Sequence, residues 1–305
     1  HMNKYSLTAL FSAAAVFSPT SAAAQSNDDN FVLEAETYAG RDIIPPDVIE
    51  SDLDQGRLEG VIGGTATARL RLDDTRVFAR VGAEAFPIDS QLNRYSLSAG
   101  VSQDVPLARN GRIRARVGAT YDHVLSDQGR VFDRVRGDAQ LIARHGSGHS
   151  TVARLRYGYR DQSEERFAGF DQDEVLGELR HTWRKPGSDT SLNGAVFALD
   201  VDAEDDRFSF QGFGARIIAR TKIGEEFGAF ARASYTRRDY EEAFNQQFPI
   251  RREDDVLRVS AGLDRALNDK LTGFAELGYI DHRSNIPTRD FQGAVGRVGV
   301  RIRFN

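Results

Sequence analysis

The chain has 305 residues, no cysteine, one tryptophan and a mean hydropathy of −0.46. Its 40 basic and 45 acidic residues leave a net charge of −5, and all but four of the basic residues are arginine. This composition excludes a disulfide framework or thiolate metal site and a simple polycation for nucleic acid. Past the N-terminus it also excludes a helical membrane protein, because no stretch approaches the ~20 consecutive apolar residues of a spanning helix.

Residues 2–25, MNKYSLTALFSAAAVFSPTSAAAQ, read as an export signal. Lys4 supplies a short positive region, Leu7 to Phe17 an apolar region too short to span, and Ala22-Ala23-Ala24 a small-residue cleavage site before Gln25. The expected organisation is a signal peptide over 1–24, with His1 a cloning remainder, and a single exported domain over 25–305.

From there the chain consists of segments of about ten residues that alternate with period two. FVLEAETYA (31–39) comes first. The segment 57–72 sets Ala66, Ala68, Leu70 and Leu72 against Thr67, Arg69 and Arg71. Segments 76–86 and 93–105 follow. Segment 111–124 sets Ile113, Ala115, Val117, Ala119 and Tyr121 against Arg112, Arg114, Arg116 and Thr120. Then come 130–144, 150–161, 173–184, 190–202, 207–220 and 226–239. In 254–265, Leu257, Val259, Ala261 and Leu263 oppose Arg258 and Ser260. In 269–282, Leu271, Ala275, Leu277 and Tyr279 oppose Thr272 and Glu276. In 291–304, Val298, Val300, Ile302 and Phe304 oppose Arg297, Arg301 and Arg303.

A soluble sandwich also alternates, but its inner face needs large core residues. Here one face is rich in Ala, Val, Leu and Tyr and the other is densely charged, which suits lipid outside and water inside. Thirteen clear segments plus 31–39 predict an all-β fold: a transmembrane up-and-down antiparallel β-barrel of fourteen strands. Bacterial barrels of this kind have even counts; twelve and sixteen are the alternatives.

With the C-terminus periplasmic, the connections at 73–75, 145–150, 185–189, 221–226 and 266–270 are short and periplasmic. Those at 163–172 and 241–253 are long and external. Both termini are then periplasmic and the barrel lies in a bacterial outer membrane. Tyr95, Tyr121, Tyr157, Tyr159, Tyr235 and Tyr279 fall at the outer strand ends, and Trp183, Phe227 and Phe304 at the inner ends. These form two aromatic girdles.

Parity assigns Arg69, Arg71, Arg76, Arg80, Arg112, Arg114, Arg116, Arg144, Arg154, Arg180, Arg216, Arg220, Arg232, Arg301 and Arg303 to the lumen, mostly in its periplasmic half. Glu59, Glu84, Asp138, Glu178, Asp264 and Glu276 share that face. Arginine forks can brace a wall by pairing with carboxylates, or make a pore electropositive; the two roles are compatible. Acidic residues cluster in the outer connections: Asp47, Glu50, Asp52 and Asp54; Glu164, Glu165, Asp171 and Asp173; Glu204, Asp205 and Asp206; Glu241, Glu242, Glu253, Asp254 and Asp255. They are solvated loops, or hold divalent cations that bridge lipopolysaccharide. Phe167, Phe170, Phe244 and Phe248 in the long loops constrict the mouth, meet lipopolysaccharide or pack the loops.

Catalytic patterns are poor. His123 and His181 have lipid-facing parity, His145 and His149 share a turn, and His282 beside Asp281 and Ser284 lacks a placed nucleophile. No phosphate or dinucleotide loop is present. The expectation is therefore no enzyme, no cofactor and no metal.

YIDHRSNIPTRDFQGAVGRVGVRIRF (279–304), with its loop Arg283-Ser284-Asn285-Ile286-Pro287, resembles the last hairpin of the surface lipoprotein assembly modifier barrels. It is also similar to outer-membrane barrels of polysaccharide export. The resemblance extends to RRDYEEAF (237–244) and REDDVLRV (252–259), about 50 residues in all, and the whole chain resembles Gram-negative outer-membrane barrels. It implies a barrel; that family's helical-repeat domain has no counterpart here. The last strand also resembles the signal read by the barrel assembly machinery, except that Asn305 follows Phe304.

Together these features predict a porin-like channel for small hydrophilic solutes, its arginine wall favouring anions. The alternative is an export or interaction barrel for a lipoprotein or polysaccharide, closed by its own ion pairs. Outer-membrane lipid, lipopolysaccharide and the assembly machinery are the expected partners, and nucleic acid is not.

Overall fold

The computed structural model describes residues 30–43, 58–108, 110–163 and 169–304. The signal-peptide reading of 1–24, the acids Asp47, Glu50, Asp52, Asp54, Glu164 and Glu165, and Phe167 lie outside the described residues.

Fourteen strands close into one antiparallel barrel in which every strand pairs with its sequence neighbours and the first pairs with the last. They are β1 (Phe31–Ile43), β2 (Leu58–Leu72), β3 (Thr75–Ala85), β4 (Arg94–Pro106), β5 (Ile113–Ser126), β6 (Gly129–Arg144) and β7 (His149–Gln162). The ring continues with β8 (Gln172–Arg184), β9 (Ser191–Ala203), β10 (Phe210–Ile223), β11 (Phe227–Ala243), β12 (Arg251–Ala266), β13 (Leu271–Ser284) and β14 (Phe291–Phe304). The weak first segment is thus the closing strand, running from Leu33↔Phe304 to Arg41↔Gly296. Closure leaves no unpaired strand edge, which is what allows a sheet to stand in hydrocarbon.

Both described chain ends, Phe31 and Phe304, lie at one end of the barrel. The turns at that end are tight. Asp73 closes β2–β3 with φ 52°, a left-handed conformation that aspartate tolerates. Gly148 closes β6–β7 at φ 84°, where a β-carbon would also collide with the Arg184 carbonyl.

At the opposite end the connections pack against the strands. Phe86 and Leu92 from β3–β4 bury with Tyr38, Val61 and Phe274. Phe170 from β7–β8 and Phe208 from β9–β10 bury with Val124, Val131, Phe132 and Ala203, their rings 4.3 Å apart.

The long connection expected over 241–253 is shorter. After a register shift between Asp239 and Ala243, β11 and β12 continue, leaving only 244–250 between them. The reason is burial. Tyr240, Arg252 and Asp254 keep the strand alternation and are enclosed on one face, and the Phe244 N–H bonds the Ile250 carbonyl at 2.9 Å.

Candidate functional site

The two faces of the sheet differ in kind. One exposes Leu70, Val81, Val101, Val117, Leu141, Leu155, Leu179, Val196, Ile217, Leu263, Leu277 and Val298. Here exposed aliphatics form a continuous band rather than scattered positions. Tyrosines edge it at the end away from the termini. Tyr95 donates to Asp127 (2.9 Å) and Tyr279 to Gln292 (2.6 Å). Tyr121 donates to Asp133, Tyr157 to Asp173 and Tyr235 to Asp255. Each acceptor lies on the next strand or its turn, and Tyr159 is exposed beside them. Trp183, Phe227 and Phe304 edge the band at the other end. Trp183 is eight residues along β8 from Val175, the register partner of Tyr157. At ~3.3 Å per residue and a ~40° tilt that separates the edges by about 20 Å along the barrel axis.

The other face is concave, since its side chains reach across intervening strands. Arg216 on β10 bonds Glu178 on β8. Arg232 on β11 reaches Glu276 on β13 (3.4 Å), and Arg258 on β12 reaches Asp42 on β1 (2.8 Å). Five of the carboxylates on this face are each shared by two or more arginines. Asp104, nearly buried, accepts from Arg76 (2.9 Å) and Arg116 (2.5 Å), with Arg114 at 3.6 Å. Asp122 accepts from Arg134 (3.2 Å), Arg136 (2.6 Å) and Ser98 (2.7 Å). Glu174 lies between Arg156 (3.3 Å) and Arg134 (3.9 Å). Glu276 takes Arg297 (3.1 Å) and Ser260 (2.7 Å) besides Arg232. Glu36 takes Arg301 (2.5 Å) and Arg297 (3.6 Å), pinning β14 to β1 at the closing seam. The inner-face strand positions carry roughly two arginines for each carboxylate, in a face whose polarity suits a watery lumen.

Of the residues singled out by parity, Arg69 meets Glu34 at 3.9 Å, Arg80 donates to Thr67 (3.2 Å) and Arg154 meets Asp138 (3.1 Å). Arg71 donates to the Asp73 carbonyl (3.1 Å), and Tyr38 donates to Glu84 (2.6 Å). Arg220 sits 5.9 Å from the Phe230 ring centre. Arg180 stands beside Glu178 on β8, and Arg303 ends β14. Arg112 and Arg144 are exposed at the terminal end, Arg112 just ahead of β5. The arginines are not concentrated in the half nearest the termini. Arg94, Arg134, Arg136, Arg160 and Arg238 carry the pattern toward the far end, as their even numbers in β4, β6, β7 and β11 already indicated. Parity alone does not single out the shared carboxylates Glu36, Asp104, Asp122 and Glu174: the last three have the same parity as their arginines, whereas even-numbered Glu36 meets odd-numbered Arg297 and Arg301 only through the β1–β14 register.

Flat aromatic rings complete the inner wall. Tyr38 lies directly opposite Gly63, Phe78 opposite Gly100, Phe197 opposite Gly214, Phe230 opposite Gly262 and Phe274 opposite Gly299. A β-carbon at any of these glycines would lie less than 3.0 Å from the ring. Glycine lets each ring lie down across the neighbouring strand, covering backbone without filling the barrel. Arginines then rest on the rings: Arg232 lies 4.8 Å from the Phe230 centre and Arg301 5.4 Å from that of Phe274.

The remaining motifs resolve into local structure. Asp254 is fully buried between Arg252 (2.5 Å) and His282 (3.3 Å), so it is no solvated loop acid. Asp281 turns to Arg283 (2.9 Å) and Ser284 accepts from the Ile286 N–H (3.2 Å); neither converges on His282. Asn285 bridges to β12, accepting from the Glu253 N–H (2.9 Å) and donating to the Arg251 carbonyl (2.7 Å). The Arg-Ser-Asn-x-Pro loop is thus a clamp on the adjacent strand. Phe170 and Phe244 pack the loops, Phe244 beneath Arg289. His149 and His181 approach to 3.3 Å on the outer face, and His123 bonds Asp133 (2.6 Å). Among the described residues no three His or carboxylate side chains form a metal-binding group.

No protein-family model matches this chain, and no curated protein matches it. Among solved structures it is similar to a loop-deletion variant of OmpT, an outer membrane protein of Vibrio cholerae (10% identity, TM-score 0.48, covering 90% of this chain and 98% of that one). It is also similar to the anion-selective porin of Comamonas acidovorans (10%, 0.45, 90% and 98%). A third is the outer membrane protein Omp33 of Acinetobacter baumannii (11%, 0.44, 90% and 98%). The closed antiparallel β-barrel is read from the strand pairings of this chain itself.

Proposed function

We propose that the protein is an outer-membrane channel for small hydrophilic solutes whose inner wall favours anions. The observation that carries this reading is the stoichiometry of the concave face: arginines outnumber carboxylates there roughly two to one, so pairing braces the wall and still leaves positive charge over. Arginine keeps that charge at any relevant pH. A positive wall concentrates anions and excludes cations.

The pairs described above run around the wall, between strands one to three steps apart. That supports an open lumen over an export barrel closed by its own ion pairs. The exposed aliphatic band supports lipid on the outer side, with tyrosines at the lipopolysaccharide leaflet. The tight turns beside Phe31 and Phe304 support periplasmic termini, since such barrels keep short turns on that side. Delivery by the barrel assembly machinery follows from this placement. The protein acts as a conduit rather than a catalyst.

Insertion of refolded protein into a planar bilayer tests the reading. Stepwise, stable conductance increments are expected. Folded, heat-modifiable barrel that inserts without conducting would overturn it.

A further inference from the structure

The inner wall is not uniform. Arg180 on β8, Ala195 on β9 and Arg216 on β10 stand in one row across three neighbouring strands. Ala195 is only 6% exposed. Arg216 is held by Glu178, whereas Arg180 makes no ion pair within 4.0 Å among the described residues; its electrostatic neighbours besides Glu178 are Arg216, Arg154 and Arg116. One step along β9, Phe197 lies flat over Gly214, two residues from Arg216 on the same face. The inner positions of β9 between Arg180 and Arg216 carry no charge of either sign.

We propose that Arg180, Arg216 and Phe197 form a subsite for planar organic carboxylates, such as aromatic acids, on the permeation path. The guanidinium of Arg180 takes the carboxylate, because its planar fork matches carboxylate geometry and no acid among the described residues lies within 4.0 Å of it, Glu178 acting only at longer range. Arg216 stays paired with Glu178, which lies opposite Phe197, so the cluster holds two guanidinium groups against one carboxylate and keeps one positive charge over. The Phe197 ring, immobilised on Gly214, offers an apolar face to the ligand body. Acetate meets only the charges; benzoate meets both features. The inference rests on the channel reading, and names the solute class that the wall retains longest.

The test uses sodium benzoate and sodium acetate as probes on the full-length refolded barrel. Benzoate is expected to reduce chloride current at a concentration about tenfold below acetate, a difference worth about 1.4 kcal/mol. Arg180→Gln should weaken benzoate block about tenfold, and Arg180→Lys should restore only part of it. Phe197→Leu should remove the preference for benzoate over acetate while sparing acetate block. Equal block by the two anions, or benzoate block unchanged in Arg180→Gln and Phe197→Leu, overturns the subsite. Isothermal titration of benzoate into the detergent-solubilised barrel reads the same site without current. Binding that depends on Arg180 in a barrel that does not conduct would sink the channel and keep the subsite. Conduction with benzoate binding no tighter than acetate would do the reverse.

Discussion

Phe78 on β3 lies directly opposite Gly100 on β4, and a β-carbon on Gly100 would collide with the Phe78 ring. Four further ring–glycine pairs repeat this relationship around the wall, so the barrel keeps its interior thin by design of residue pairs rather than by small side chains alone. Gly100→Ala is expected to destabilise the barrel by about 1–3 kcal/mol, the usual cost of overpacking. Much of that loss should return in Gly100→Ala/Phe78→Ala, because the nearest atoms belong to the ring. Urea unfolding in detergent, followed by gel mobility, measures both. A double variant no more stable than the single one would refute the ring as the cause.

Asp104 holds three arginines from two strands, and removing its charge separates bracing from selectivity. Asp104→Asn should cost about 1–3 kcal/mol. That is less than the loss of a fully buried partner, because Arg76, Arg114 and Arg116 keep partial access to water. Surviving barrels should be more anion-selective than the parent, since one negative charge has left the wall. Stability and reversal potential measured on the same preparation give both signs.

The single tryptophan makes membrane depth measurable. Trp183 lies at the terminal edge of the aliphatic band, so lipids brominated near the carbonyl end of their chains should quench its fluorescence more strongly than lipids brominated near the chain terminus. The reverse order would displace the band from the hydrocarbon.

Asp205 caps the short 3-10 turn Asp206–Phe208 and bonds the Arg207 guanidinium (2.7 Å). Those hydrogen bonds hold its carboxyl below the ordinary carboxylate range. A depressed folded value means that the contribution to loop order is present above the unfolded value of about 3.9 and lost as pH falls through the lower folded value. Hydrogen-exchange protection factors over 204–209, corrected for the intrinsic pH dependence of amide exchange, should be high at pH 6 and fall below pH 4. Asp205→Asn should flatten that dependence.

The strands were legible because alternation reports which face each residue takes. Thirteen segments and FVLEAETYA became β1 to β14 with ends shifted by a few residues. What alternation does not carry is register. Parity placed Arg114, Arg116 and Arg76 on one face, but only the pairings of β3, β4 and β5 bring all three to Asp104. For the same reason Phe230 and Gly262, 32 positions apart in sequence, read as unrelated until β11 and β12 align. At 241–253 the polar composition suggested a loop. There Arg252 and Asp254 satisfy each other, and that lets charged residues continue a buried strand.

Under the proposed function, arginines in excess of their carboxylate partners make the pore's field positive. The most direct test is the zero-current potential of refolded protein in a planar bilayer across a tenfold potassium chloride gradient. The potential is predicted to lie toward the chloride equilibrium potential, and to move toward zero in Arg180→Gln/Arg220→Gln. A potential on the potassium side in the parent protein would contradict a positive pore field.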